Sequence, residues 1–241
     1  MKFERIKKLL RNFLYSEVSN GKKYLKINLF GIRLSLNLSL KNNTNKIYLK
    51  TRAGELKRVR KIKGLKIIFE HSNSTVIVHE PIIKFANSSV VLGENCHFEI
   101  GAKTKDELVK MSGVNFVLAK NAKARMGDNL FFGGGDVVLT ENSSLTIGND
   151  CMLSYGLTLR IGDAHPIINS KTGETIPNQG NVIIADRVWV GVRAIILKNA
   201  QIAHDTIVGA GSVVTKKFDT PNVAIAGNPA RIVKEDVAWE K

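Results

Sequence analysis

From Ile184 onward an aliphatic residue returns every six positions: Ile184, Val190, Ile196, Ile202, Val208 and Val214. The fifth place of each unit holds Val188, Ala194, Ala200, Thr206 and Ser212, most of them small. A strict period of six is neither the 3.6 of an amphipathic helix nor the simple alternation of an isolated strand. It predicts a parallel β-coil whose three short faces make one turn of a triangular prism, the aliphatic side chain stacking inward and the small one fitting near the corner. Upstream the units loosen. Leu139 and Leu145 keep the period, and so do Ile147, Leu153 and Leu159, but in a register two residues away, which predicts an irregular corner between them. Leu92 and Phe98 offer an earlier pair, and residues 103–135 fit poorly, so early coils with one or two excursions are expected there. Gly133, Gly134 and Gly135 are followed by no Gly-Lys-Ser/Thr, which makes them a tight corner rather than a phosphate cradle.

Before residue 70 the pattern changes. Phe3, Ile6, Leu9, Leu10, Phe13 and Leu14 recur at helical spacing with Lys7, Lys8 and Arg11 between them. This predicts a basic amphipathic helix, either lying on an anionic membrane surface or docked on its own domain. Leu25, Ile27 and Leu29, then Ile32 to Leu40, alternate with polar residues and predict two strands around "FGI". Charge sharpens the division. The formal net charge is +15; residues 1–70 hold 19 Lys+Arg against 4 Asp+Glu, and the remainder holds 17 of each. The chain is therefore divided into a basic segment 1–70, a β-helix domain 71–218 and a C-terminal tail 219–241. The run "KRVRKIKGLK" suits an anionic lipid or an acidic polysaccharide. Few aromatics interleave with its charges and it carries no nucleic-acid-binding motif, so nucleic acid is set aside.

Composition adds limits. With 44% hydrophobic residues in 241 the chain can bury a substantial core. No apolar run reaches the length of a bilayer span, and the first residues lack the apolar stretch and cleavage site of a secretory signal. The expectation is a cytoplasmic protein, with peripheral contact at the inner membrane through residues 1–70 as one of the two readings of the basic segment. Cys96 and Cys151 stand far apart in no metal-ligand spacing and are expected to be buried reduced thiols; no metal site is expected. His71, His79, His97 and His204 are expected to be structural or solvated.

One segment resists the repeat. Residues 163–181, "DAHPIINSKTGETIPNQGN", cannot be absorbed by the coil and must project from the prism. Together with "VWVG", "VGAGSVVTK" and "AIAGNPARIV", this loop makes Leu139 to Lys234 resemble the hexapeptide-repeat acyltransferases, which fold as a left-handed parallel β-helix. The His165-Pro166 pair followed by Trp189 at the end of a later coil is similar to the galactoside, maltose and polysaccharide O-acetyltransferase branch. The resemblance implies a mainly β left-handed parallel β-helix with a basic N-terminal extension, a homotrimer with sites between neighbours, and acetyl-CoA as co-substrate.

The resemblance also implies roles. His165 acts as general base, since a sugar hydroxyl is a poor nucleophile and a neutral imidazole can take its proton during attack on the thioester. Trp189 walls the acetyl site, and the backbone N–H near Val192 meets the oxyanion. Asp163 either orients His165 or turns the loop. Ala194, Gly209, Ala210, Gly211 and Ser212 are small enough to let a pantetheine arm approach the backbone, and Thr215, Lys216 and Arg231 match positions near the adenine and phosphates. Residues 221–229 are expected to fold over the end of the prism. Galactoside and maltose enzymes carry an acceptor-binding Asn where this chain has Gly134, and their short N-terminal helical domain is replaced by the basic segment. The expected acceptor shifts to a capsule or lipopolysaccharide glycan, anionic or lipid-linked, with sialic-acid-containing glycan as one candidate. Two alternatives stand: an N-acetyltransferase of an amino nucleotide-sugar, and a non-catalytic β-helix scaffold or anion binder.

Overall fold

The aliphatics that open each hexad point into the molecule. Ile184, Val190, Ile196, Ile202, Val208 and Val214 are all buried, and so are Val188, Ala194, Ala200, Thr206 and Ser212 at the fifth places. The computed structural model describes residues 14–19, 22–29, 32–38, 44–80, 84–101 and 110–240. Among them the strands stack as three parallel sheets, one per face of a prism. The first face runs through Lys46–Lys50, Thr75–His79, His97–Ile100, Lys123–Met126, Ser144–Ile147, Asn181–Ile184, Gln201–Ile202 and Lys217–Phe218. The second runs through Lys84–Ala86, Lys110–Ser112, Phe131–Phe132, Met152–Leu153, Trp189–Val190, Ile207–Val208 and Ala224–Gly227, closed by Ala230–Lys234. The third runs through Leu65–Phe69, Ser88–Leu92, Val114–Leu118, Gly135–Leu139, Leu157–Ile161, Ile195–Leu197 and Val213–Val214. Each coil visits the faces in that order.

Coil length explains where the repeat was hard to read. Stacked corner residues lie 18 apart in the late coils, as Asn181 and Asn199 do, but 21 apart between Asn121 and Asn142 and 26 apart between Asn95 and Asn121. Part of the extra length enters the third face, whose strands shorten from five residues at Gly135–Leu139 to two at Val213–Val214. Leu157, Leu159 and Ile161 therefore all point inward, which is the register slip seen in the sequence. The wider coils need larger filling. Phe98, Phe116 and Phe132 are fully buried and stack edge-to-face, with centroids 5.1 and 6.2 Å apart. Asn73, Asn95, Asn121, Asn142 and Asn199 turn the edge between the third and first faces with φ of 56–65°, a conformation asparagine tolerates better than most residues. Their side chains bond along the stack, Asn95 Nδ2 to Asn121 Oδ1 at 2.8 Å and Asn121 Nδ2 to Asn142 Oδ1 at 2.9 Å.

The charge boundary near residue 70 is not a boundary in strand pairing. Lys46–Lys50 pairs in parallel with Thr75–His79, and Leu65–Phe69 with Ser88–Leu92, so the stack already includes residues 46–69. The basic run contributes an antiparallel edge strand, Leu56–Val59, and then buries Ile62 and Leu65 while Lys61, Lys63 and Lys66 stay exposed. The expected helix over Phe3–Leu14 lies outside the described residues except for Leu14, which opens a strand. Leu14–Ser19, Lys22–Leu29 and Ile32–Leu38 form a three-stranded antiparallel sheet, with Leu29 paired to Ile32 across "FG". Residues 221–229 do more than cover the end: Ala224–Gly227 is a further parallel rung on Ile207–Val208, and Ala230–Lys234 returns antiparallel beside it. Cys96 and Cys151 are buried and neither is in a disulfide among the described residues, and burial pushes the Cys96 thiol up. No helix long and apolar enough to cross a membrane occurs among the described residues.

Candidate active site

The segment that breaks the repeat leaves the prism after Ile161 on the third face and rejoins at Asn181 on the first, so it stands on the edge between them. Stacked residues on either side of it lie 37 apart instead of 18. Its neck is built residue by residue. Gly162 takes φ +121°, and a Cβ there would come within 2.7 Å of Asn178 O and closer still to Thr140, so glycine is required. Asp163 N–H donates to Asn178 O at 2.9 Å, and Gly180 N–H donates to Ser143 Oγ at 3.0 Å. Lys198, one coil further on, donates its ammonium to Asp163 Oδ2 and to Pro177 O at 3.2 Å, tying both strands of the neck to the prism. Beyond the neck, Ile167–Ile168 and Thr175–Ile176 pair as a small hairpin whose Ile167, Ile168 and Ile176 are 47, 59 and 44% exposed. His165 lies between neck and hairpin and is exposed.

Trp189 is elsewhere. It lies on the second face, side chain outward, between Met152 and Ile207 in the stack. Its ring meets Trp239 of the C-terminal tail at a centroid distance of 6.3 Å and a tilt of 46°. Trp239 is buried, and its Nε1–H donates to Arg187 O at 2.8 Å; Val237 N–H donates to Asn222 O at 2.9 Å. The tail is thereby fastened across the coil that carries Trp189. Arg187 in turn pairs with Asp205 at 2.6 Å, and hydrogen bonds from His204 and Arg187 hold the Asp205 carboxyl below the usual carboxylate range.

Past Trp189 the chain turns from the second face to the third. Gly191 is buried under the next coil: an added Cβ would sit 2.7 Å from Ala210 N and 2.8 Å from Val208 O. Around the turn, Gly191 N–H donates to Val208 O, Arg193 N–H to Tyr155 O and Gly211 N–H to Val192 O, whereas the amides of Val192 and Ala210 donate to no backbone carbonyl among the described residues. Val192 is 43% exposed, and Ala210 and Gly211 are also exposed. This edge therefore carries two amides without a backbone acceptor among the described residues, beside glycine and alanine positions. Ala194 and Ser212 face the interior, where Ser212 Oγ accepts Gly227 N–H at 3.2 Å, so the small residues with open surface here are Gly209, Ala210 and Gly211. Arg231 is exposed on the second face opposite Ala226. Thr215 and Lys216 are exposed on the other edge, between the third and first faces.

The residues singled out in the sequence thus fall into two groups at opposite borders of the third face. One edge carries Asp163, His165, Thr215 and Lys216. The other carries Val192, Gly209, Ala210 and Gly211, with Trp189 and Arg231 on the adjoining second face. Asp163 is given to Lys198 and makes no hydrogen bond with His165. Sequence reasoning missed Lys198 and Trp239. Lys198 carried no signal, because a lysine on a coil is ordinarily solvated. Trp239, a lone indole in the charged tail "VKEDVAWEK", was a legible anchor. Among the described residues no group of three or more His, Cys, Asp or Glu side chains is placed to hold a metal ion.

The fold is a parallel β-helix with a projecting histidine loop and a tryptophan-bearing coil, as the sequence resemblance to acyltransferases implied, and comparison with known proteins identifies the class. No protein-family model matches the chain. It is 34% identical over 163 residues to the polysialic acid O-acetyltransferase of Neisseria meningitidis, covering 64% of this chain and 75% of that one. It is 34% identical over 128 residues to the polysialic acid O-acetyltransferase of Escherichia coli O1:K1 / APEC, covering 53% of this chain but only 41% of that protein's length. The crystal structure of the polySia-specific acetyltransferase NeuO superposes with a TM-score of 0.70 at 27% identity, over 83% of this chain and 79% of that one. The chain belongs to the hexapeptide-repeat, left-handed β-helix O-acetyltransferases, in the branch that includes the galactoside and polysialic acid enzymes.

Proposed function

We propose that this protein transfers an acetyl group from acetyl-CoA directly to a sugar hydroxyl of an acidic bacterial surface polysaccharide, with His165 as general base. The observation that carries the reading is the division of the site into two half-sites at opposite borders of the third face. One edge presents an exposed imidazole on a fastened loop; the other presents unpaired amides beside Trp189. A neighbouring copy laid against the third face completes the site, which is the support for a homotrimer. The exposed Ile167, Ile168 and Ile176 give the loop an apolar surface to set against that neighbour.

The chemistry follows from the groups present. His165 takes the hydroxyl proton as the oxygen attacks the thioester carbonyl. The amide of Val192 donates to the resulting oxyanion, where a fixed donor is worth several kcal/mol in a water-poor site (about 3 kcal/mol). Collapse breaks the carbon–sulfur bond, and the imidazolium returns its proton to the departing thiolate, leaving the O-acetyl ester and coenzyme A. Acetyl-CoA fits the second edge: the open column at Val192 and Ala210 offers amides to the pantetheine arm, with Gly209 and Gly211 adding no side chain, and Arg231 of the same copy with Thr215 and Lys216 of the neighbour meet the phosphates. Trp189 walls the acetyl site. Asp163 acts through Lys198, holding the loop rather than the imidazole. Both polysialic acid O-acetyltransferases named above act on an acidic glycan, and the charge of +15 here suits such an acceptor.

The test is acetyl-CoA turnover, read as free thiol release with acidic and neutral glycans, for wild type beside His165→Ala. Release that depends on an acidic glycan and falls by about 10²–10⁴-fold in the variant is the expected result. Release with an amino nucleotide-sugar instead of any glycan would establish the N-acetyl alternative. Absence of acetyl-CoA binding would leave a scaffold.

A further inference from the structure

The outward side chains of the first face are unevenly charged. Strand register sets them in columns one rung apart. One column runs Lys46, Thr75, His97, Lys123; the next runs Tyr48, Ile77, Glu99, Arg125; Lys50 and His79 form a third, and Arg58 lies beside Tyr48 on the antiparallel edge strand. Higher on the same face those columns continue as the uncharged Ser144, Thr146, Asn181, Ile183 and Gln201, and charge returns only at the last rung, where Lys217 is paired with Asp219 at 3.0 Å. Glu99 is the single carboxylate in these lower columns, and neighbouring side chains cover it. Its side chain is 14% exposed, with His79 Nε2 at 2.7 Å, His97 Nε2 at 3.3 Å and Lys50 Nζ at 3.8 Å. Burial works against ionisation of Glu99, but hydrogen bonds from His79 and His97, with the charges of His79 and Arg125, outweigh it and hold the carboxyl below its ordinary range. Lys46, Arg58, Lys123 and Arg125 are exposed and have no carboxylate within ion-pair distance among the described residues.

We propose that this lower half of the first face is a docking track for a carboxylate-bearing polysaccharide chain, separate from the transfer site. The inference rests on the acidic-glycan reading given above. Rungs about 4.8 Å apart spread the Lys46–Lys123 column over roughly 14 Å, a flat ladder of cations parallel to the prism axis. That direction leads along the same face to Ser144 and Asn181, beside the neck of the His165 loop. A polyanion laid on the track is held by many weak ion pairs while a distant residue of the same chain reaches the site, and its effective concentration there rises. The face favours a glycan over other polyanions. Tyr48 is the one outward aromatic residue of these rungs and is half-buried, so bases have no stacking platform. Tyr48 and Ile77, the apolar outward residues there, are both half-buried, so nothing projects to enter a bilayer.

The experiment uses the full chain with Lys46→Gln, Arg58→Gln, Lys123→Gln and Arg125→Gln combined. A control with Lys84→Gln, Lys110→Gln and Lys234→Gln removes three exposed positive charges from the second face. Binding of fluorescently labelled α2,8-linked polysialic acid is measured without acetyl-CoA, and acetyl transfer is measured on the polymer and on a sialic acid trimer. Four exposed ion pairs at a few tenths of a kcal/mol each predict affinity weakened by about tenfold in the track variant and by less than about threefold in the control. KM for the polymer should rise in parallel, with kcat and trimer turnover within about twofold of wild type. Equal loss in both variants, or none in the track variant, overturns the track. Tighter binding by wild type to duplex DNA or to phosphatidylglycerol vesicles than to polysialic acid overturns the choice of ligand. Polymer binding lost in the track variant, with no acetyl transfer by either protein, keeps the track and removes the transferase reading. Transfer with an unchanged polymer KM does the reverse.

Discussion

Asp163 lies two positions from His165 in the chain, yet its carboxylate is bonded to Lys198 across the neck of the loop. That contact supports the mechanical role proposed for it. Asp163→Asn and Lys198→Met should each lower kcat/KM by about 10–100-fold, the usual cost of misplacing a reacting group by about 1 Å, and should leave the shape of the pH–rate profile unchanged. If Asp163 instead tuned the imidazole, Asp163→Asn would displace that profile and Lys198→Met would not. Trp239 acts comparably on Trp189. Trp239→Ala removes a ring from its face and frees Arg187 O, so acetyl transfer should fall by roughly tenfold with acetyl-CoA binding held within a few-fold. The projecting loop that carries the histidine and the coil that carries the first tryptophan were legible because a motif announces them. Lys198 was not, since nothing in a chain says which solvated lysine meets a loop folded back from another coil.

At the scale of single coils, the hexads from Ile184 were read correctly down to the inward residue, because an 18-residue coil repeats a six-residue unit three times. The 21-residue coils hid the same architecture. Their added residues sit in the third face, keep alternating inward and outward, and so look like an ordinary strand such as Leu157–Ile161. The basic run hid its place in the stack for a related reason: its charges point outward from a coil whose Ile62 and Leu65 are already buried. Close stacking of the late coils is what sets Val192 and Ala210 in line. Gly191→Ala tests this. Its new Cβ would meet backbone atoms of the next coil at 2.7 and 2.8 Å, which side-chain rotation cannot relieve. The coils must part, and unfolding in denaturant should show a loss of about 1–3 kcal/mol. Acetyl-CoA affinity should weaken with it, whereas Gly173→Ala in the hairpin, where nothing lies within 4 Å of the added Cβ, should leave that affinity unchanged.

For the whole molecule, the two half-sites make an argument that no single chain can complete. The His165 loop stands on one border of the third face, and Trp189 with Val192 stands beyond the other. If each site is formed by the loop of one copy and the tryptophan-bearing coil of the next, the interface is heterologous and closes into a ring. Two inactive variants can then restore each other. In a ring assembled at random from equal parts of His165→Ala and Trp189→Ala chains, half the loops keep the histidine and half the facing coils keep the tryptophan. About a quarter of the sites are then intact. Refolding the two variants together should therefore recover about a quarter of wild-type turnover, with each variant refolded alone as the baseline. If both residues served the same chain, no mixture could contain an intact site, and turnover would stay at that baseline at every mixing ratio. The ratio dependence separates the cases further: recovery should peak at equal amounts and fall symmetrically on either side, because it follows the product of the two chain fractions.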